Sequence, residues 1–217
     1  TILQEVPKMG YKEIYNEWLT NAYFDADTKA ELERIASDEN EIKERFYTDL
    51  EFGTAGLRGI IGAGTNRMNI YTVRKATQGL ANYILKSGNA EKGVAIAFDS
   101  RRMSPEFAQE AACCLAANGI KAYVFDSLRP TPELSYAVRK LGCIAGINIT
   151  ASHNPPEYNG YKVYWEDGAQ ITPPHDKGIM DEVKAVTDYT TMKTMPAEDA
   201  KAAGLYEVIG AEVDDAY

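Results

Sequence analysis

The strongest constraint on the fold is a short apolar stretch followed by a helical pattern, which occurs twice and ends on a third apolar stretch. The apolar stretches read GVAIAFD, IKAYVFD and CIAGINIT, and the segments between them read SPEFAQEAACCLAANG and TPELSYAVRKLG. Ser104 and Thr131 stand at expected helix N-caps, each before a proline, while Gly119 and Gly142 stand at expected helix ends. Strands that are apolar on both faces and alternate with helices predict a parallel sheet covered by helices on both sides.

The flanking segments suggest three regions. Apolar residues spaced by three and four predict helices in YKEIYNEWL, DTKAELERIA and DENEIKERFYTDL, which we interpret as an N-terminal helical arm packed on the main domain. Beyond the repeat, we expect one more helix in PPHDKGIMDEVKAV, a polar connector and a possible strand in LYEVI. We therefore predict an arm at residues 1–50, an α/β domain at 51–190, and a linker with the start of a truncated second domain at 191–217.

Composition excludes several classes of protein. Of the 217 residues 45% are hydrophobic, yet no apolar run approaches the roughly 20 residues of a membrane span, and no secretory signal core is present. The odd number of cysteines, at Cys113, Cys114 and Cys143, suits a core in a reducing compartment, so we expect a cytoplasmic protein. A net charge of −9 argues against nucleic acid as a partner but leaves room for a small phosphorylated ligand.

Four loops are expected at or near the carboxyl ends of the strands, where open α/β sheets bind ligands. They read FGTAGLRG, FDSRRMS, RPTPE and TASHNPPEYNG, and with them come Arg58, Arg101, Arg102 and Arg129. Four arginines at one edge predict a local anion site, although an ion pair between Asp99 and Arg101 is a simpler reading of the second loop. The first loop lacks the Walker ending and GAGTN lacks the Rossmann spacing, so nucleotide binding is not indicated.

The loop TASHNPPEYNG allows two interpretations, a reactive pair or a structural turn. Ser152 and His153 are a poor nucleophile–base pair, because side chains of adjacent residues rarely face each other and no G-x-S-x-G elbow is present. In the second interpretation, Ser152 and Asn154 form a polar turn and His153 caps a carbonyl. By pattern alone Lys162 is a solvated lysine, and His153 and His175 are too few for a histidine-rich metal site.

Taken together, three motifs identify a resemblance. TASHNPPEYNGYKVY resembles the phosphoserine loop of the α-D-phosphohexomutases, the phosphoglucomutase and phosphomannomutase family. FGTAGLRG resembles that family's N-terminal signature, and RPTPE resembles the segment before the strand that leads into the serine loop. The matches occur in the family's order and cover about residues 40–190. The resemblance implies a three-layer α/β/α sandwich of the phosphoglucomutase first-domain type, with a mostly parallel, mixed sheet and the helical arm added.

The resemblance also implies an activity and roles for residues. The family is an isomerase, an intramolecular phosphotransferase that interconverts hexose 1-phosphate and hexose 6-phosphate, with the 1,6-bisphosphate as intermediate and activator. Ser152 matches the phosphate-carrying serine, Lys162 the acid–base lysine, and Arg58 the arginine that approaches the phosphoryl group. His153 is expected to assist in catalysis and Asn154 to help hold the phosphate. Each expectation rests on the family's motifs.

Two departures limit these expectations. The family's Mg²⁺ is bound by the serine phosphate and by a D-G-D-x-D-R loop of the second domain, and no such run occurs here. We therefore expect Ser152 to contribute to the metal site only through its phosphate, other domains to complete the enzyme, and the chain to be inactive alone. Glucose and mannose phosphates remain equally open as substrates. The alternatives are a non-catalytic sugar-phosphate binding module and, more remotely, a serine hydrolase.

Overall fold

The central sheet carries the features that position the loops. The computed structural model describes residues 9–53 and 56–217. Within them, six strands form one mixed sheet in the order β1-β5-β4-β2-β3-β6. Their bounds are β1 Gly56–Ile60, β2 Val94–Phe98, β3 Ala122–Phe125, β4 Ala145–Ile149, β5 Tyr158–Trp165 and β6 Tyr206–Ile209. Strands β4, β2, β3 and β6 are parallel, whereas β5 runs antiparallel to both β4 and β1.

Helices cover both faces of the sheet. They are α1 Tyr11–Thr20, α2 Ala26–Arg34, α3 Glu39–Phe46, α4 Ile70–Ser87, α5 Ser104–Ala117, α6 Thr131–Leu141, α7 His175–Ala185, α8 Ala197–Ala202 and α9 Ala211–Asp214. Along β2, Val94 and Ile96 point into the core shared with α4, α5 and α7, while Ala95 and Ala97 point towards α6. This alternation of fully buried residues confirms the predicted three-layer α/β/α sandwich.

The helix starts differ from the predicted caps. Helix α5 begins at Ser104 itself, because the Ser104 hydroxyl donates to Asp99 Oδ1 at 2.8 Å instead of accepting from the first turn. Helix α6 begins at Thr131, whose hydroxyl accepts from Asn148 Nδ2 at 2.7 Å. Gly142 ends α6 with φ 66, as predicted. The two hydroxyls thus tie the helix starts to the loop after β2 and to β4.

The N-terminal arm packs on α4, as expected. Its aromatic core stacks Trp18 on Phe24 with ring centroids 4.2 Å apart, and both rings contact Tyr71 of α4. The Tyr71 hydroxyl accepts from the Asp25 backbone N–H at 2.7 Å and donates to Asp25 Oδ2 at 2.7 Å. The arm is therefore joined to the α/β domain by apolar contact and by hydrogen bonds at the start of α2.

Asn69 performs two tasks at the start of α4. Its Oδ1 accepts from the backbone N–H groups of Tyr71 at 3.1 Å and Thr72 at 3.0 Å, which caps the helix. Its Nδ2 donates to the carbonyls of Gly62 at 2.8 Å and Gly64 at 2.9 Å. One side chain thus fixes both the helix and the glycine-rich turn after β1.

The C-terminal stretch corrects part of the predicted division. We expected residues 191–217 to be a linker and the start of another domain, but β6 pairs with β3 in parallel register from Ala122–Tyr206 to Phe125–Ile209. Val208 on this edge strand is 56% exposed, whereas Ile209 lies in the core. This segment completes the sheet of the α/β domain, because the possible strand LYEVI forms and pairs with the open edge of β3. The boundaries at 50 and 190 stay predictions.

Other expectations concern the cysteines and the membrane. Cys113, Cys114 and Cys143 are free and buried, as expected for core residues. Burial raises the pKa of Cys113 to about 11. In the part of the chain that is described, no helix has the length and apolar content that a membrane crossing requires.

Candidate functional site

The serine loop, residues 150–157, connects β4 to the antiparallel β5. Both of its ends are therefore held by neighbouring strands of the same sheet. Within it, the Ser152 N–H donates to Thr150 Oγ1 at 3.0 Å, and the Asn154 N–H donates to the Ala151 carbonyl at 3.1 Å. Ser152 is exposed and has φ 58, a left-handed conformation that is costly for a residue other than glycine.

Ser152 and His153 are closer than expected from their adjacency. Ser152 Oγ lies 3.2 Å from His153 Nδ1, so the prediction that their side chains would not face each other is wrong. The left-handed backbone at Ser152 breaks the usual alternation of side-chain directions, which the sequence pattern does not reveal. However, no described residue holds the other ring nitrogen in place, and a hydrolytic triad needs such a group. The expected cap of a carbonyl by His153 is not found among the described residues.

Arg101 does not form the anion site that we predicted for it. Its Nη atoms donate to four backbone carbonyls at 2.6–3.0 Å, those of Ser152, Asn154, Pro155 and Tyr158. Its Nε lies 3.5 Å from Asp99 Oδ2, which confirms the predicted ion pair. The loop carbonyls thus take all four Nη N–H groups, and Nε faces a carboxylate, so the guanidinium is engaged by protein groups.

Arg129 is also engaged by protein groups. Its Nε and Nη2 bind Asp214 in a forked pair at 2.8 and 2.7 Å, and Nη2 lies 3.0 Å from Asp126 Oδ1. These carboxylates satisfy the guanidinium, so the expected role in anion binding is corrected here too. Of the four arginines in the predicted site, only Arg58 and Arg102 have no hydrogen bond or ion pair from their side chains to other described residues.

Arg58 and Lys162 lie on the two adjacent strands β1 and β5. The register pairs Gly56 with Lys162 and Arg58 with Gly160, and residues paired across antiparallel strands share a face. The two cations are therefore diagonal neighbours on one face of the sheet. Arg58 is exposed, and Lys162 is half-buried instead of fully solvated. Lys162 likewise has no hydrogen bond or ion pair among residues 9–53 and 56–217, so neither charge is neutralised within that part of the chain.

Gly56 makes this close pairing possible. It has φ 121, and a Cβ atom at this position would lie 1.8 Å from the Tyr161 carbonyl oxygen. Only glycine lets the backbone of β1 approach β5 this closely. Gly56, the second of the three glycines in FGTAGLRG, thus sets the position of Arg58 two residues further along.

The sequence-predicted residues divide between two cavities. One, of about 450 Å³, is lined by Asp99, Ser100, Arg101, Arg102, Ser152, Asn154 and Pro156. The other, of about 860 Å³, lies between the arm and β1 and includes Arg58. Of the predicted catalytic residues, Ser152 lines the smaller cavity, and His153 is not among its lining residues. Lys162 lines neither cavity.

The described residues do not form a magnesium site by themselves. No group of three or more His, Cys, Asp or Glu side chains in this part of the chain is placed to hold a metal ion. Asp99 is the acid beside Ser152, and its Oδ1 already accepts from Ser104 Oγ at 2.8 Å and the Arg101 N–H at 2.9 Å. One carboxylate that is already engaged does not match the several oxygen ligands of Mg²⁺.

Sequence reasoning missed the polar network beneath the serine loop. Asn159, at the start of β5, donates to Ser104 Oγ at 2.9 Å and to the Arg102 carbonyl at 2.9 Å. Ser104 in turn donates to Asp99. The available signal was the aspartate two residues before Arg101, since such an aspartate can accept from the backbone N–H two residues later.

Comparisons with known proteins agree with this fold. The family model for phosphoglucomutase/phosphomannomutase, alpha/beta/alpha domain I, matches residues 49–190. A Staphylococcus epidermidis phosphoglucomutase is 45% identical over 165 residues, which cover 76% of this chain and 28% of that protein. The human phosphopentomutase is 44% identical over 163 residues, which cover 70% of this chain and 27% of that protein. The chain thus spans less than a third of these curated relatives.

Solved structures give the same result. The crystal structure of a Thermus thermophilus protein assigned as a phosphomannomutase superposes with a TM-score of 0.61 at 29% identity, covering 75% of this chain and 33% of that one. The serine loop and FGTAGLRG both lie inside residues 49–190, the range that the family model matches. The chain belongs to the phosphoglucomutase/phosphomannomutase family, and residues 49–190 correspond to its α/β/α domain I.

Proposed function

We propose that the whole protein is a phosphosugar mutase in which Ser152 carries the transferable phosphoryl group. The observation that carries this proposal is the presentation of Ser152: exposed, in a left-handed conformation, on a loop held by strands at both ends. A phosphoserine resists water, so the phosphoryl group waits until a sugar hydroxyl is aligned with it. A rigid loop suits such a carrier.

The chemistry is a pair of reverse transfers. In the first, the free hydroxyl of a hexose 1-phosphate attacks phosphoserine, a new P–O bond forms, the Ser152 Oγ–P bond breaks, and a 1,6-bisphosphate results. In the second, the 1-phosphoryl group returns to Ser152 Oγ and hexose 6-phosphate leaves. The hydroxyl proton lost in the first transfer passes to a general base and is returned in the second. We assign this proton transfer to Lys162, which is half-buried and has no partner among the described residues.

The remaining predicted residues hold and orient the phosphoryl group in this proposal. Arg58 offers a planar guanidinium without a partner among the described residues, and such a group can contact two phosphate oxygens at once. His153 Nδ1 lies 3.2 Å from Ser152 Oγ, within reach of the bridging oxygen, and Asn154 lines the same cavity as Ser152. Replacing Arg58 with lysine should lower the rate, because a point charge cannot make the forked contact.

The ligands of a metal ion must be completed by other parts of the protein. Mg²⁺ neutralises charge that develops on phosphoryl oxygens, and Ser152 would offer it phosphate oxygens once phosphorylated. Since the described residues hold no carboxylate cluster, we propose that the 217-residue chain alone does not turn over. Sustained formation of glucose 6-phosphate from glucose 1-phosphate by this chain, abolished by Ser152→Ala, would contradict that proposal.

A pentose phosphate is the second candidate substrate. A relative 44% identical to this chain is named a phosphopentomutase, while one 45% identical is named a phosphoglucomutase. The two reactions share phosphoserine chemistry and differ in the sugar that must be aligned. Rates of the full-length protein with glucose 1-phosphate, mannose 1-phosphate and ribose 1-phosphate would rank the three substrates directly.

The test of the carrier role uses radiolabelled sugar bisphosphate. Full-length protein is incubated with glucose 1,6-bisphosphate, and separately with ribose 1,5-bisphosphate, before peptide mapping. Label is expected on Ser152 and should be lost in Ser152→Ala together with turnover. Ser100→Ala is the matched control, since this serine lines the same cavity and should leave labelling unchanged. Turnover that survives in Ser152→Ala would overturn the proposal.

A further inference from the structure

Arg101 lies beneath the serine loop and has an unusual set of partners. Four carbonyl oxygens of residues 152–158 accept its N–H groups at 2.6–3.0 Å, while its side chain remains only 14% exposed. Charged donors make stronger hydrogen bonds than neutral ones, and four such bonds converge here on one segment of backbone. The guanidinium therefore acts on the shape of the loop and not on a ligand.

The guanidinium is itself held in place. The Asp99 carboxylate accepts from the Arg101 backbone N–H at 2.9 Å through Oδ1, and its Oδ2 lies 3.5 Å from Nε. Ser104 Oγ donates to the same carboxylate at 2.8 Å, and Asn159 Nδ2 donates to Ser104 Oγ at 2.9 Å. These contacts thus connect the loop after β2, the start of β5 and the serine loop. The serine loop is fixed to the loop after β2 through Arg101, and the start of β5 is fixed to it through Asn159 and Ser104.

This support coincides with a backbone that needs it. Ser152 has φ 58, and a non-glycine residue stays in that region only where its surroundings enforce it. The Ser152 carbonyl is one of the four that Arg101 binds, at 2.9 Å, so the arginine acts on the strained residue itself. Pro155 and Pro156 limit the loop further but cannot set the orientation of the Ser152 peptide.

We propose that Arg101 is a positioning residue for phosphoryl transfer: it holds the Ser152 backbone in its left-handed conformation, so that Oγ keeps its direction through both transfers. This inference rests on the proposed function of Ser152. It differs from the sequence-based expectation, in which Arg101 contributed to an anion site. A lysine could not replace it, because three donors on a single nitrogen cannot reach four carbonyls spread over seven residues.

The test compares Arg101→Met and Arg101→Lys in the full-length protein. Misplacement of a reacting group by about 1 Å costs about 10²-fold in rate, so kcat should fall by about that factor in Arg101→Met. Arg101→Lys should lie between that variant and the unaltered protein. KM for the sugar phosphate should change little in both, because the Nη groups of Arg101 bind the loop and its Nε faces Asp99. Added guanidinium ion should restore part of the rate to Arg101→Ala, because Arg101 and Ser152 line the same cavity and the truncated side chain leaves room for the ion there.

Arg74→Met controls for loss of stability. Arg74 is a buried arginine whose Nε bonds Glu110 Oε1 at 2.6 Å, away from the serine loop. Its variant should unfold at a lower temperature yet retain kcat, whereas the Arg101 variants should lose kcat at temperatures where they are folded. If Arg101→Met does not fold, the test rests on Arg101→Lys, whose kcat should lie below that of the unaltered protein.

The outcomes separate this inference from the proposed function. Activity in Arg101→Met or Arg101→Lys equal to that of the unaltered protein, with Ser152→Ala inactive, would overturn the role of Arg101 alone. A rise of KM by about 10²-fold with no loss of kcat would also overturn the role of Arg101, since that result would place Arg101 in contact with the substrate. Full activity in Ser152→Ala would instead remove the proposed function.

Discussion

Replacing Asn69 with alanine should destabilise the protein by about 3 kcal/mol, and the structure divides this cost into two parts. Asn69 Oδ1 caps α4 through the N–H groups of Tyr71 and Thr72. Loss of such a cap costs about 1 kcal/mol. Asn69 Nδ2 holds the carbonyls of Gly62 and Gly64, and each lost hydrogen bond costs about 1 kcal/mol more.

A serine at position 69 separates the two parts. Its hydroxyl can still cap the helix, but it is too short to hold both glycine carbonyls, so Asn69→Ser should cost about 2 kcal/mol. Asn40→Ala is the control, because Asn40 lies exposed in α3 and has no hydrogen bond from its side chain to other described residues. That change should be neutral or slightly stabilising, since alanine is the better helix former.

Urea unfolding followed by circular dichroism measures these differences. The expected order of stability is Asn40→Ala, then Asn69→Ser, then Asn69→Ala. A loss below about 1 kcal/mol in Asn69→Ala would show that the cap and the loop bonds are replaced by water at little cost. Equal stability of Asn69→Ser and the unaltered protein would remove the part assigned to Gly62 and Gly64.

Three further predictions address catalysis, thiol reactivity and acid stability. In the full-length protein, Lys162→Met should leave folding intact and lower kcat by about 10²–10⁴-fold, the usual effect of losing a positioned acid–base group, and full activity would disprove its role. All three cysteines should resist iodoacetamide in the native state and react on unfolding, because burial raises the pKa of Cys113 to about 11 and encloses the other two thiols; rapid native labelling would contradict this. Burial opposes ionisation of the Asp25 carboxyl, but hydrogen bonds from the Thr28 N–H and the Tyr71 hydroxyl outweigh burial and lower its pKa. The ionised carboxylate therefore stabilises the fold at neutral pH, and this stabilisation is lost as the pH falls through the lowered pKa. Between neutral and acid pH, the unfolding temperature should therefore fall less in Asp25→Asn than in the unaltered protein. Identical plots of unfolding temperature against pH would refute the assignment.

The regular part of the fold was predictable because its signals are local. Pro105 and Pro132 mark the first turns of α5 and α6, and the apolar runs between the helices are visible within a dozen residues. Strands β2, β3 and β4 form as predicted. The serine loop was located by its motif. The pairing of β1 with β5 was not foreseen, because a register between residues about a hundred positions apart leaves no trace in a single sequence.

The candidate site was predictable in residue type more than in use. Arginine in a strand-end loop indicates a positive charge, but the structure assigns Arg101 to backbone carbonyls and Arg129 to carboxylates. Which partner an arginine takes depends on groups brought in by other strands and helices. The contact between Ser152 and His153 likewise depends on a single φ angle that a sequence pattern does not specify.

The position of β1 at the outer edge of the sheet has a consequence for synthesis on the ribosome. Among the strands of this sheet, Gly56–Ile60 comes first along the chain, yet its neighbour is β5, and Gly56 pairs with Lys162. During translation, β1 must wait without this partner strand until about a hundred further residues have emerged. Contacts this distant along the chain form late because closing the intervening loop costs entropy. Arg58 therefore comes to lie beside Lys162 only when the edge of the sheet is completed, so that a nascent chain arrested before residue 158 would have neither the serine loop closed nor these two cations together.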